Sequence, residues 1–153
     1  MTQEQQLVWH YTTLTKIKII ERDPILRPFG KDGQKPAVWF SKDQTWEPTA
    51  ACNHLATLAD GTEQFLDMKD LFQVTGGLYR FGVLPEDAPI TWEVYRSLID
   101  PDVGQVMVDG ATRLRASPDN WRASLSPIEE NKWKVVQMWT EESVWKTLNR
   151  RPE

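Results

Sequence analysis

The chain has 153 residues, 40% of them hydrophobic and 26% charged, with a net charge of −4. That suffices for one core of ordinary size, and the acidic balance argues against a general grip on nucleic-acid backbone, which wants a basic face. With Cys52 as its one cysteine no intrachain disulfide can form, no apolar run approaches a membrane span, and the opening MTQEQQLVWH lacks the basic and apolar segments of a secretory leader, so a cytoplasmic protein without a membrane partner is expected.

In chain order, QLVWHY (6–11) reads as a short apolar strand. Thr12 or Thr13 then offers a hydroxyl to cap a helix running to about Glu21, in which Leu14, Ile17 and Ile20 recur at helical spacing. The Pro- and Gly-spaced DPILRPFGKDGQKP (23–36) is loop and turn. AVWFS (37–41) is the second strand, and a short helix is expected to open near Ser41 or Asp43, with TWEPTA at or just beyond it. Residues 50–75 show no clear periodicity beyond a helical turn or two in DMKDLFQV. Leu78 to Leu84, between Gly76-Gly77 and Pro85, is a strand. ITWEVYRSLI (90–99) is an amphipathic helix with Thr91 as cap and Trp92, Tyr95 and Leu98 or Ile99 on one face, and a further helix covers about 104–115. WRASLSPI and WKVVQMWTEESVWKTL close the chain as two or three antiparallel strands. The order gives an α+β fold: one domain over residues 1–153, with a split, mainly antiparallel sheet and flanking helices.

Eight tryptophans stand out. Most suit a core built from large aromatics, but Trp9, Trp39 and Trp121 adjoin strand ends, where indoles can wall a cleft for a flat ligand. His10, Cys52 and His54 are too few and wrongly spaced for a zinc site, so no metal is expected. The sequence has no G-x-S-x-G elbow, no GxGxxG loop and no GxxxxGK[ST] loop. Cys52 has no neighbour that would activate it, which makes it a small buried residue. What remains is the pair WHYTT and PAVWFS, two apolar strands that end in imidazole or hydroxyl groups. If those ends meet in a cleft, His10, Thr12 and Ser41 can hydrogen-bond a ribose while aromatic faces hold a base or nicotinamide ring.

WHYTT followed by a helix, then KPAVWFS followed by WEPTA, resembles the ADP-ribosyltransferase-like fold, and the pattern HYTT…VWFS…WEPTA…RFGV is similar to that of small bacterial and phage proteins. The resemblance spans roughly the first fifty residues and, beyond them, the order of the strands. It implies NAD as substrate and a transferase activity that moves ADP-ribose to a protein or nucleic-acid acceptor. His10 would contact the nicotinamide-side ribose, with Tyr11 and Thr12 beside it. Trp39, Phe40 and Ser41 would match the second motif, and Trp121 would close the wall. The glutamate that opens a late strand in active transferases falls here near Asn120 or Trp121, with Asp119 adjacent, so it is unmatched. Its loss would remove several kcal/mol of transition-state stabilisation, on the scale of a single oxyanion donor. Glu47 is then the carboxylate expected to replace it, and Arg80 the phosphate clamp.

Plainer roles stand beside these. His10 can be a core histidine bonded to a backbone carbonyl. Thr12 and Ser41 can be caps, Glu47 can pair with Arg27 or Lys42, and Arg80 can be an edge charge that discourages strand pairing. Trp39 and Phe40 must face opposite ways, so one of them packs in the core. Two other functions fit: a catalytically silent module that binds a protein through an aromatic surface, and a nucleic-acid binder using Arg113, Arg115 and Arg122.

Overall fold

A computed structural model describes residues 6–31, 33–51, 55–57, 59–61, 63–65 and 67–148. Strand β1 (Val8–Thr13) runs directly into helix α1 (Leu14–Arg22), and the short β2 (Ile25–Leu26) and β3 (Val38–Ser41) follow. β4 (Leu55–Thr57) and β5 (Glu63–Phe65) pair as a separate small ladder. Helix α2 (Met68–Thr75) is capped by the Asp67 carboxylate, which accepts from the Asp70 amide, and ends at Gly76 with φ 81°, a left-handed conformation that glycine adopts without steric cost. β6 (Leu78–Val83), β7 (Ile90–Thr91), α3 (Trp92–Arg96) and α4 (Pro101–Arg113) come next. β8 (Trp121–Ser124), β9 (Ile128–Glu129), β10 (Val135–Trp139) and β11 (Trp145–Thr147) complete the described chain.

Seven strands form one sheet in the order β11-β10-β6-β1-β3-β8-β7, with antiparallel pairing throughout. The product is an α+β unit with a mainly antiparallel sheet, as expected. No helix among the described residues is long and apolar enough to cross a membrane.

Several local expectations fail for identifiable reasons. The ten-residue helix at 90–99 stops at Arg96, because Pro101 pushes Asp100 into extended backbone and starts a new helix that Asp100 caps. That helix opens at Pro101 rather than near residue 104. The helix expected near Ser41 does not form. There the Asp43 carboxylate accepts from the amides of Thr45 and Trp46, which holds a turn, and a single 3-10 turn follows at Pro48–Ala51. β9 leaves the main sheet to pair with β2. The readings of Cys52 and His54 lie outside the described residues.

Both faces of the sheet are covered. Val8, Phe40, Phe81, Val83 and Val136 share one face and pack on Ile17 of α1, Leu26, Ile128 and Trp133. The other face holds two separate clusters. One joins Trp9, Tyr11 and Leu78 to Trp46 and to Leu71 of α2. The second joins Trp121, Ala123 and Ala37 to Trp92 and Tyr95 of α3 and Ala111 of α4. The division falls between β1 and β3, which share one registered position, Trp9 opposite Ser41. β1 by contrast pairs with β6 along its whole length.

Candidate functional site at the seam between β1 and β3

Register decides which candidate residues meet, because side chains alternate faces along a strand and directly opposed residues share one. Trp9 opposite Ser41 and Tyr11 opposite Arg80 place Trp9, Tyr11, Ser41, Arg80, Trp39 and Trp121 on the face that α2, α3 and α4 cover. His10 stands opposite Phe81, and Thr12 opposite Tyr79, so both point to the α1 side. The expected common hollow of His10 and Ser41 is therefore corrected: the two side chains lie on opposite faces of the sheet.

On the α2 side the charged candidates are built into the fold. Ser41 is fully buried and donates to Glu47 Oε1 at 3.0 Å. The same carboxylate accepts from the Thr49 amide and hydroxyl, so Glu47 ties the 47–50 turn to β3 instead of pairing with Arg27 or Lys42. Arg27 pairs with Asp23. Arg80 lies on β6, with a strand on each side, and is no edge charge. Its guanidinium stacks 3.8 Å from the Trp9 ring centroid and 4.4 Å from that of Trp145. Its nitrogens donate to Gln137 Oε1 at 2.7 Å, Gln44 O at 2.6 Å and the Tyr11 hydroxyl at 3.3 Å. Tyr11 donates in turn to Asp43 O at 2.5 Å. Burial pushes the Tyr11 phenol up, against the opposing pull of Arg80, and burial likewise lowers the pKa of Arg80.

Trp39 and Trp121 do meet, with ring centroids 5.9 Å apart, but as part of the aromatic cluster with Tyr95 and Trp92. Phe40 takes the opposite face and is buried. Of the three arginines considered for nucleic acid, Arg122 donates to Ala88 O and Pro85 O and is held at the surface of the fold.

On the α1 side the seam itself is the feature of chemical interest. Where β1 and β3 part company, the His10 side chain spans the gap: Nδ1 lies 2.8 Å from the Trp39 carbonyl oxygen. A carbonyl only accepts, so Nδ1 carries the proton, and in the neutral ring Nε2 keeps its lone pair. His10 is half-buried, with Phe40 and Phe81 rings at 5.8 and 6.3 Å. That apolar surround lowers its pKa, the Trp39 carbonyl opposes the shift, and the Lys16 charge adds to it. The ring is thus oriented, neutral and near a cation. Two residues on, Thr12 is 3% exposed and its hydroxyl has no hydrogen-bond partner. Neither Thr12 nor Thr13 caps α1.

Sequence reasoning missed Lys16, Gln44, Gln137 and Trp145. Lys16 was accessible to it as a cation in the first turn after HYTT. The other three reach Arg80 or Trp9 from distant segments and leave no local signal. A separate cleft of about 540 Å³ lies between α3 and α4, lined by Trp92, Glu93, Arg96, Gln105 and Val108 among others, and it contains none of the expected site residues.

No known protein family matches the chain, and neither does any curated protein or solved structure.

Proposed function

We propose that this chain is a nucleotide-binding domain that receives NAD or a related nucleotide at the His10 side of the β1–β3 seam, and that recognition rather than ADP-ribosyl transfer is its role. The observation that carries the reading is the bridging imidazole. His10 is fixed by the Trp39 carbonyl where β1 and β3 share a single registered position, with Nε2 making no hydrogen bond among the described residues. An oriented neutral imidazole beside a lysine suits a ligand that offers both a hydroxyl donor and negative charge. Transfer is disfavoured because Glu47 spends its oxygens on Ser41 and Thr49 on the other face of the sheet, away from that imidazole.

Calorimetric titration with NAD and ADP-ribose tests the reading. Saturable binding that His10→Ala abolishes and Glu47→Gln leaves intact is expected, without release of nicotinamide. Silence at millimolar nucleotide from a chain whose circular dichroism is native would refute it, and nicotinamide release that Glu47→Gln stops would restore the transferase. The α3–α4 cleft favours a second reading, a module that binds a partner there. In that case the nucleotide titration is silent in the parent chain too.

A further inference from the structure

At the turn where β1 becomes α1, four features converge on one chemistry. α1 has nine residues and no side-chain cap: the Thr13 side chain makes no capping hydrogen bond, and the first turn holds no acidic residue. α2 and α4 close their own ends with Asp67 and Asp100. The Leu14 amide of α1 is taken by Gly77 O at 3.0 Å, and Thr15 and Lys16 carry the next two amides of the first turn, which a helix cannot satisfy from within itself. Lys16 itself is exposed in that first turn.

The independent observation is Thr12. Its side chain projects on α1's side of the sheet, immediately before the helix, and its buried hydroxyl has no acceptor. An interior hydroxyl left unsatisfied costs about 1–3 kcal/mol, and an oxyanion would supply the missing acceptor. Helix N-terminal amides favour the same kind of group, through their free N–H bonds and the positive end of the helix dipole.

We propose that the β1–α1 turn is a phosphate site, in which the Thr15 and Lys16 amides, the Lys16 ammonium and the Thr12 hydroxyl receive a phosphate or diphosphate group. As the phosphate end of the nucleotide site it rests on the reading above for the identity of the whole ligand, though not for the existence of the anion site. His10 faces the same side of the sheet, which leaves the uncharged part of such a ligand to the seam.

The test uses the full chain labelled with nitrogen-15, titrated separately with pyrophosphate, ADP-ribose and adenosine. Pyrophosphate and ADP-ribose are expected to shift the Thr15 and Lys16 amide resonances. Thr12→Val should weaken both by roughly tenfold, the scale of one hydrogen bond to a charged group. Lys16→Gln, a surface change that leaves the core alone, should weaken both and flatten their salt dependence. If pyrophosphate binds this way while ADP-ribose does not, the phosphate site stands and the nucleotide reading falls. If ADP-ribose binds in a His10-dependent manner but Thr12→Val and Lys16→Gln leave its affinity unchanged, the phosphate site is overturned and the nucleotide reading survives. Shifts confined to other amides, or none with pyrophosphate, also overturn it.

Discussion

Replacing Arg80 with methionine sets two opposed terms against each other. The guanidinium is buried and, among the described residues, has no carboxylate within ion-pair distance, so its removal returns a desolvation cost of several kcal/mol. Against that stand bonds from the cation to Gln44 O and Gln137 Oε1, at about 1.5–3 kcal/mol each, and stacking on two indoles, at about 0.5–2 kcal/mol each. Methionine keeps contact with both rings but leaves the Gln44 carbonyl without its donor. Because two indoles share the stack and the bonds are short, the second group wins, and we expect a loss of about 3 kcal/mol. For a chain of this length that is roughly 6–12 °C in Tm. Urea unfolding followed by tryptophan emission measures it, and Arg80→Lys should recover little, since an ammonium lacks the planar fork. A variant as stable as the parent, or one with a higher urea midpoint, would show that the uncompensated charge dominates and that the stack is incidental.

Two further outcomes follow from the same packing. A Cβ on Gly82 would lie 2.8 Å from the Trp9 ring, 2.9 Å from Leu7 and 3.0 Å from Val135, so Gly82→Ala should cost about 1–3 kcal/mol by overpacking, and an unchanged urea midpoint would refute the close approach. His10 has a lowered pKa when folded, so the unfolded chain takes up a proton first as pH falls through about 6.5. Stability is therefore full above that pH and declines below it, by up to about 1.4 kcal/mol per pH unit, until the folded imidazole is itself protonated. His10→Gln should flatten this slope, and the difference between the two chains isolates His10 from His54. Parallel profiles would refute it.

The strands were legible where one short run held its own pattern. VWHYT, VWFS, LYRFGV, WRAS and VVQMW all form, because each has at least one apolar face and is bounded by turn chemistry. The site was less legible, because register is a property of two strands. A shift by one residue would have put His10 beside Ser41, and nothing within HYTT or VWFS states which alignment holds. The same gap hid the fate of Arg80. Read alone, YRFGV offers an unpaired cation in a strand, whereas its partners Gln44, Gln137 and Trp145 come from segments that carry no mark of the contact. Local signals also misplaced the helix ends near residue 100, where the proline two positions past the apolar run outweighed the run itself.

The strand order has a consequence for synthesis. β1 is made some seventy residues before β6, yet it pairs with β6 over its full length, and β6 in turn waits for β10 on its other side. A nascent chain therefore presents Val8, Trp9 and Tyr11 without a mate until Val83 has been translated and has left the ribosome. Half the sheet cannot close until Trp139 follows it. Such distant pairing slows folding and lengthens the time during which aromatic edges are open to wrong partners, so the yield of this protein in cells should respond to translation speed and to holdase chaperones.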